Sequence, residues 1–187
     1  DSWYETNIIG KNDTDGILLT NYIVDGTFCN DRILSNITSG DGYSLVPSNK
    51  YSAFKRLYQD SNKTAILKCS KDSDMFSTTT SRGNGNLTYP VALIVADEVA
   101  LAGGKTFFKN EDYFLKTNGY FWTMTPADFP EDVANARMFS IYPTGELNLW
   151  YNVTYSLGVR AVINIRPDVL ISQGDGTSEN PFILQLA

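Results

Sequence analysis

The stretch "ARMFSIYPTGELNLWYNV", residues 136–153, constrains the fold more than any other part of the chain. Two runs of alternating side chains flank "PTGE", where Gly145 is free to take a positive φ, and that is the signature of a β-hairpin. A strand turns successive side chains to opposite faces. Leu147, Leu149 and Tyr151 therefore share one face of the second strand, and Asn148, Trp150 and Asn152 share the other. Tyr155 lies just past a bend. The next segment, "LGVRAVINI", reads as the central strand of the sheet, with Val159, Val162, Ile163 and Ile165 buried and Arg160 set among them.

The remaining segments fit an α+β order, not a βαβ alternation. Residues 1–10 read as the end of an amphipathic helix stopped at Gly10, the tail of a longer helix or stalk. Residues 11–50 are rich in turn sequences, including "KNDTDG", "VDGTF" and "SGDGYS". "YSAFKRLYQ" spaces Tyr51, Phe54, Leu57 and Tyr58 as a short helix does, and "TAILKCS" reads as a short strand. "VALIV" reads as a buried strand leading into the helical "ADEVALA", whose acids suit a helix N-terminus and whose end is marked by Gly103-Gly104. "YFWTMTPADF" reads as an aromatic strand stopped by Pro126, and residues 168–186 as two strands joined by a polar loop. With 187 residues and 42% hydrophobic content, one domain over 1–187 with a packed core is expected.

Composition narrows the function. The net charge is −6 and no run of Lys or Arg can neutralise a phosphate backbone, so nucleic acid is not an expected partner. No apolar stretch approaches the roughly 18 residues of a membrane span, so this segment is not expected to contact a membrane. Histidine is absent, which excludes a Ser-His-Asp triad, a Cys-His pair and any His-ligated metal. No cofactor or metal is expected. The Asp13/Asp15/Gly16 loop fails as an EF-hand because Lys11 and Tyr22 occupy its first and twelfth positions. Asp72/Asp74 and Asp175/Glu179 read as turn chemistry. Three acid pairs, Asp97/Glu98, Glu111/Asp112 and Glu131/Asp132, qualify for glycoside hydrolysis by residue type alone.

Two cysteines remain, Cys29 and Cys69. Free buried thiols are the intracellular alternative. Their polar surroundings and the low charge of the chain favour a disulfide and an extracellular setting. Asn-X-Ser/Thr sequons at Asn12, Asn36, Asn62, Asn86 and Asn152 would be glycan acceptors in a eukaryotic secreted protein, although several are expected by chance in a chain this rich in Asn and Thr.

Taken together, "IVDGTFCNDR", "PVALIVADEVALAGG", "YFWTMTP" and "GVRAVINI" with "DVLISQGDGTSENPFIL" resemble a domain of unknown function in surface and pilin-like proteins of Firmicutes and their phages. A Trp-Thr-x-Thr motif at Trp122, a glycine-bearing hairpin and Gly158-Val159-Arg160 also resemble the C-type lectin-like fold. That pattern occurs in formylglycine-generating-enzyme-like domains and in the variable proteins of diversity-generating retroelements. The resemblance implies a loop-rich C-type lectin-like fold with short N-terminal helices and a central antiparallel sheet. It also implies a ligand-binding face at Asn148, Trp150, Tyr151, Asn152 and Tyr155, extended by Ser140 and Tyr142. Trp122, Gly158 and Arg160 would be structural, Arg160 pinning the hairpin through loop carbonyls or a carboxylate. The lectins' calcium motifs and the catalytic cysteines of the formylglycine-generating enzymes have no counterparts here. The expected function is a non-enzymatic, surface-displayed adhesion domain that takes a protein or glycan ligand. A pilus or filament subunit is the alternative, and a carbohydrate-active enzyme comes third.

Overall fold

A computed structural model gives the architecture and describes residues 1–35, 49–60, 62–69, 71–129, 135–177 and 179–187. The "SGDGYS" turn, the Asn36 sequon and the Glu131/Asp132 pair lie outside the described residues. The chain is mixed α+β, mostly short strands in small antiparallel sheets with a few short helices. Among the described residues no helix is long and apolar enough to cross a membrane.

Helix α1 (Ser2–Asn7) buries Tyr4, whose ring stacks on Tyr89 at 5.1 Å. Strands β1 (Ile23–Val24) and β2 (Phe28–Cys29) follow, then β3 (Asn49–Lys50) and α2 (Ser52–Phe54). Helix α2 runs on as a π-helical turn over Lys55–Gln59, closed by the Asp60 amide donating to the Lys55 carbonyl. Of the spaced set, that single helical segment buries Phe54 and Leu57, together with Ala53, but leaves Tyr58 exposed. Strands β4 (Met75–Phe76) and β5 (Val91–Ala92) precede α3 (Ala96–Leu101). The Val95 amide donates to the Glu98 side chain at the start of α3, satisfying one of the amides a helix leaves open there.

The central sheet has the order β3-β6-β7-β8, with β6 over Phe121–Phe129, β7 over Arg137–Ile141 and β8 over Leu147–Asn148. The hairpin forms as its pattern indicates: the Gly145 amide donates to the Tyr142 carbonyl, and Gly145 has φ +75°. A Cβ on Gly145 would lie 2.0 Å from the Asn110 carbonyl oxygen, so glycine is required for close approach as well as for φ. On β6 the residues Phe121, Thr123, Thr125 and Ala127 point inward. The Thr123 hydroxyl donates to the Phe139 carbonyl, and Thr125 accepts the Ala96 amide, so the two buried hydroxyls tie β6 to β7 and to α3. Phe139, Ile141, Leu147 and Leu149 complete the core against α2 and α3.

Four segments depart from the sequence reading. Pro126 does not stop its strand: β6 continues to Phe129, with register shifts on both sides of the Pro126–Met138 pair. The irregularity absorbs the amide that proline lacks. The described residues of "TAILKCS", 64–69, form no strand; they are held by side-chain anchors instead, the Ile66 amide donating to Asp97 and Cys69 bonded to Cys29. Of "VALIV" only Val91–Ala92 is strand, because Val95 already caps α3. Within "LGVRAVINI" the strand is β9 (Val162–Ile165), centred between β1 and β5 in a separate three-stranded sheet. Val159 is 71% exposed and Ile165 is exposed too, so this strand is not buried throughout. The pairing of β1 with β9 also means that the loop-rich first half supplies strands to the second. The chain closes with β10 (Val169–Gln173) and β11 (Ile183–Leu186), a hairpin paired only with itself among the described residues.

The Cys29–Cys69 disulfide links β2 to the irregular 62–69 segment across a sequence separation of 40. It is consistent with an oxidising compartment outside the cytosol.

Candidate functional site

The candidate face begins where β8 ends. Asn148 turns its side chain back on its own backbone: Oδ1 accepts the amides of Leu149 (2.7 Å) and Trp150 (3.0 Å), while Nδ2 donates to Glu146. This Asx arrangement lifts the chain out of the ladder after two residues. Asn148 is therefore buried and has no free polar atoms to offer a ligand. Ser140 is buried too, set in register between Trp122 on β6 and Asn148 on β8. Both belong to the scaffold and not to the exposed face expected of them.

Past that bend, neighbouring residues enter two separate aromatic groups. Trp150 is 61% exposed, with its ring 5.6 Å from Phe107. Phe107 in turn meets Tyr58 edge-on at 5.1 Å, and Tyr58 meets the buried Phe54. The Arg137 guanidinium lies 5.6 Å from the Trp150 ring centre. Its Nε donates to Asp128 at 2.7 Å, and a second bond joins Nη2 to the same buried carboxylate. Bidentate pairing fixes the guanidinium plane against which the indole rests. Trp150 is thus presented to solvent while its lower face is held.

Tyr151 enters the second group. Its ring lies 5.4 Å from Tyr120, 5.6 Å from Tyr142 and 5.2 Å from Tyr155, and Tyr120 meets Tyr142 at 4.7 Å. Tyr155 is 54% exposed and Tyr120 is exposed. Tyr142, Tyr151 and Asn152 are half-buried. Asn152 bridges to Arg137, and its carbonyl accepts the Tyr155 amide, which closes the turn that carries Tyr155. The sequence brings Trp150 and Tyr151 forward together, but the fold sends them to different neighbours. Tyr58, Phe107 and Tyr120 were not expected here. A Phe-Phe pair after two glycines carries no signal that distinguishes a surface ring from a core ring.

Burial, and then the phenols of Tyr151 and Tyr120, push the Tyr142 pKa up to about 12. Burial and Tyr120 push Tyr151 up as well. The unfolded chain releases the Tyr142 proton near 10, so the raised folded value contributes stability that is complete below about pH 10. That contribution is lost as pH rises from about 10 to about 12. An alkaline titration followed by phenolate absorbance is expected to show a late-ionising fraction, and Tyr142→Phe to reduce it.

The residues expected to be structural have partners of that kind. Arg160 Nη1 donates to the Leu115 carbonyl at 2.9 Å, and its guanidinium sits 5.0 Å from the centre of the Phe121 ring. It ties a loop to the start of β6, not the hairpin turn to the sheet. Gly158 exchanges backbone bonds with Tyr120 and Trp122, and a Cβ there would lie 3.0 Å from the Tyr120 carbonyl oxygen. Three of the described paired acids have partners of their own. Asp97 binds Arg56, Glu98 binds the Val95 amide, and Lys116 holds Glu111 below its ordinary pKa. Asp13 likewise accepts the amides of Asp15 and Ile17 and the Tyr22 hydroxyl, closing its own loop.

No family model matches the chain, and no curated protein or solved structure is found to match it.

Proposed function

We propose that this chain is a non-enzymatic binding domain of C-type lectin-like architecture, displayed at a cell surface and carried by a pilin or stalk, that captures a protein or glycan ligand. The observation that carries the reading is Trp150, a large aromatic ring left 61% exposed although Phe107 and Arg137 hold it in place. Held aromatic area loses little side-chain entropy on binding, and it is the kind of anchor around which interfaces concentrate their affinity. The tyrosine group centred on Tyr151 lies next in the chain and offers exposed side chains at Tyr120 and Tyr155. The disulfide supports an extracellular setting.

The test is capture of ligands from a glycan array and from intact cells by wild type, Trp150→Ala and Tyr155→Ala. Trp150→Ala is expected to abolish capture while leaving the melting temperature unchanged, since the ring is exposed and removes little core. Capture that survives both substitutions overturns the reading.

The β10–β11 hairpin favours a second reading, a filament subunit. Its Leu170, Ile171, Phe182 and Ile183 are all exposed, and a two-stranded sheet is marginal alone. Sedimentation of the same samples separates the two: a binding domain stays monomeric, and a filament subunit self-associates in a manner that Leu170→Asp and Ile171→Asp reverse.

A further inference from the structure

A cavity of about 440 Å³ lies beside the Trp150 group and has no assigned role. Leu57, Gly104 and Phe108 line it together with Asn62, Lys63 and Lys105. The same two segments build both features. The π-helical turn gives Leu57 to the cavity and Tyr58 to the aromatic group; the 105–108 segment gives Lys105 and Phe108 to the cavity and Phe107 to Trp150. That second segment is fastened on each side: the Lys105 carbonyl accepts the Leu147 amide, the Phe107 amide donates to the Leu147 carbonyl, and the Thr106 hydroxyl donates to the Leu57 carbonyl.

Two further observations point to a ligand. Three non-glycine residues have positive φ among those described, and two of them, Phe107 (φ +61°) and Lys63 (φ +47°), belong to this region. A bulky side chain in that conformation costs about 1–2 kcal/mol, and such strain gathers where function requires a fixed geometry. Second, neither Lys63 nor Lys105 has a carboxylate within ion-pair distance among the described residues, although acids outnumber bases in the chain. The Lys63 ammonium instead donates to the Tyr58 carbonyl and lies 5.5 Å from the Tyr58 ring centre.

We infer that this cavity and the Trp150 ring form one composite site for an acidic saccharide, a sugar ring stacking on the aromatic side and a carboxylate lying between Lys63 and Lys105. The volume falls within the range of small-molecule clefts, about 300–1,000 Å³. A peptide strand is disfavoured because the Lys105 carbonyl and the Phe107 amide are already committed to Leu147. Asn62, also in the lining, supplies an amide able to bond sugar hydroxyls. The inference rests on the reading of Trp150 as a contact surface.

Titration calorimetry with oligogalacturonate, a hyaluronan tetrasaccharide and sialyllactose, each against its neutral or carboxyl-reduced counterpart, tests the inference. At least one acid is expected to bind more tightly than its neutral counterpart, with an affinity that falls as salt is raised. Lys63→Gln and Lys105→Gln are each expected to weaken it roughly tenfold with unchanged thermal melts. The inference is overturned if no acid binds at millimolar concentration, if neutral counterparts bind equally, or if both glutamine variants bind as wild type does. Trp150→Ala separates the two levels. Acid binding lost in the lysine variants but intact in Trp150→Ala leaves the cavity standing and removes the tryptophan platform; loss in all three supports both.

Discussion

Arg56→Ala is expected to lower the unfolding free energy by about 3–5 kcal/mol, the usual cost of leaving buried charges without their partner. Arg56 reaches two carboxylates at once: Nη1 meets Asp31 at 2.6 Å, Nε donates to Asp97 at 2.8 Å, and Nη2 also contacts Asp97. The side chains of Arg56 and Asp97 are only 12% and 4% exposed. Burial alone drives the guanidinium pKa down, but the bonds and charges of Asp97 and Asp31 outweigh it, and the net shift is upward. Removing the guanidinium leaves two acids facing each other in a space that also lies against the disulfide. Asp97 further accepts the Ile66 amide, so the network orders the 62–69 segment as well as α2 and α3. Urea denaturation of Arg56→Ala, Asp97→Asn and the double variant measures this. The double variant is expected to be more stable than the sum of the single losses implies, because it removes one of the two orphaned charges, that of Asp97, and leaves only Asp31. A loss below about 1 kcal/mol for Arg56→Ala would mark the pair as solvent-screened.

The sequence revealed local chemistry well and long-range chemistry poorly. The 136–153 hairpin is legible because alternation and a turn glycine lie within one short stretch. Helix α3 is legible for the same reason, acids at its start and two glycines at its end. Where a remote partner decides, local pattern misleads. "TAILKCS" has the composition of a strand, yet Asp97, 31 residues from Ile66, and Cys29 determine its path. Pro126 looks like a terminator until β7 arrives with a register that spares its missing amide. At the site, alternation placed Asn148 beside Trp150, but an asparagine can bond the two amides that follow it, and this one is consumed in doing so. Trp150 and Tyr155 were legible as exposed candidates. Phe107, Tyr58 and the two lysines were not, since they come from segments 40 and more residues upstream whose convergence no periodicity records.

Reduction of the Cys29–Cys69 bond is expected to lower the unfolding free energy by about 4 kcal/mol, from the chain entropy released when a loop of about 40 residues opens, with the separation read from the chain. For a domain of this size that corresponds to a fall in melting temperature of roughly 10 °C. Calorimetry with and without reductant, and on a Cys29→Ser/Cys69→Ser variant, measures it; an unchanged melt would show that the bond constrains nothing the core does not already hold. The bond also bears on the site. Cys69 and the Ile66–Asp97 contact are two anchors of the segment that brings Asn62 and Lys63 to the cavity. Trp150 hangs from different supports, Phe107 and the Arg137–Asp128 pair. Reduction below the melting transition should therefore weaken the cavity's grip on an acidic saccharide while leaving the Trp150 ring in place. It should also couple with Arg56→Ala. Once one anchor of the 62–69 segment is gone, the second is holding a chain already loosened, so the two losses together should fall short of their sum.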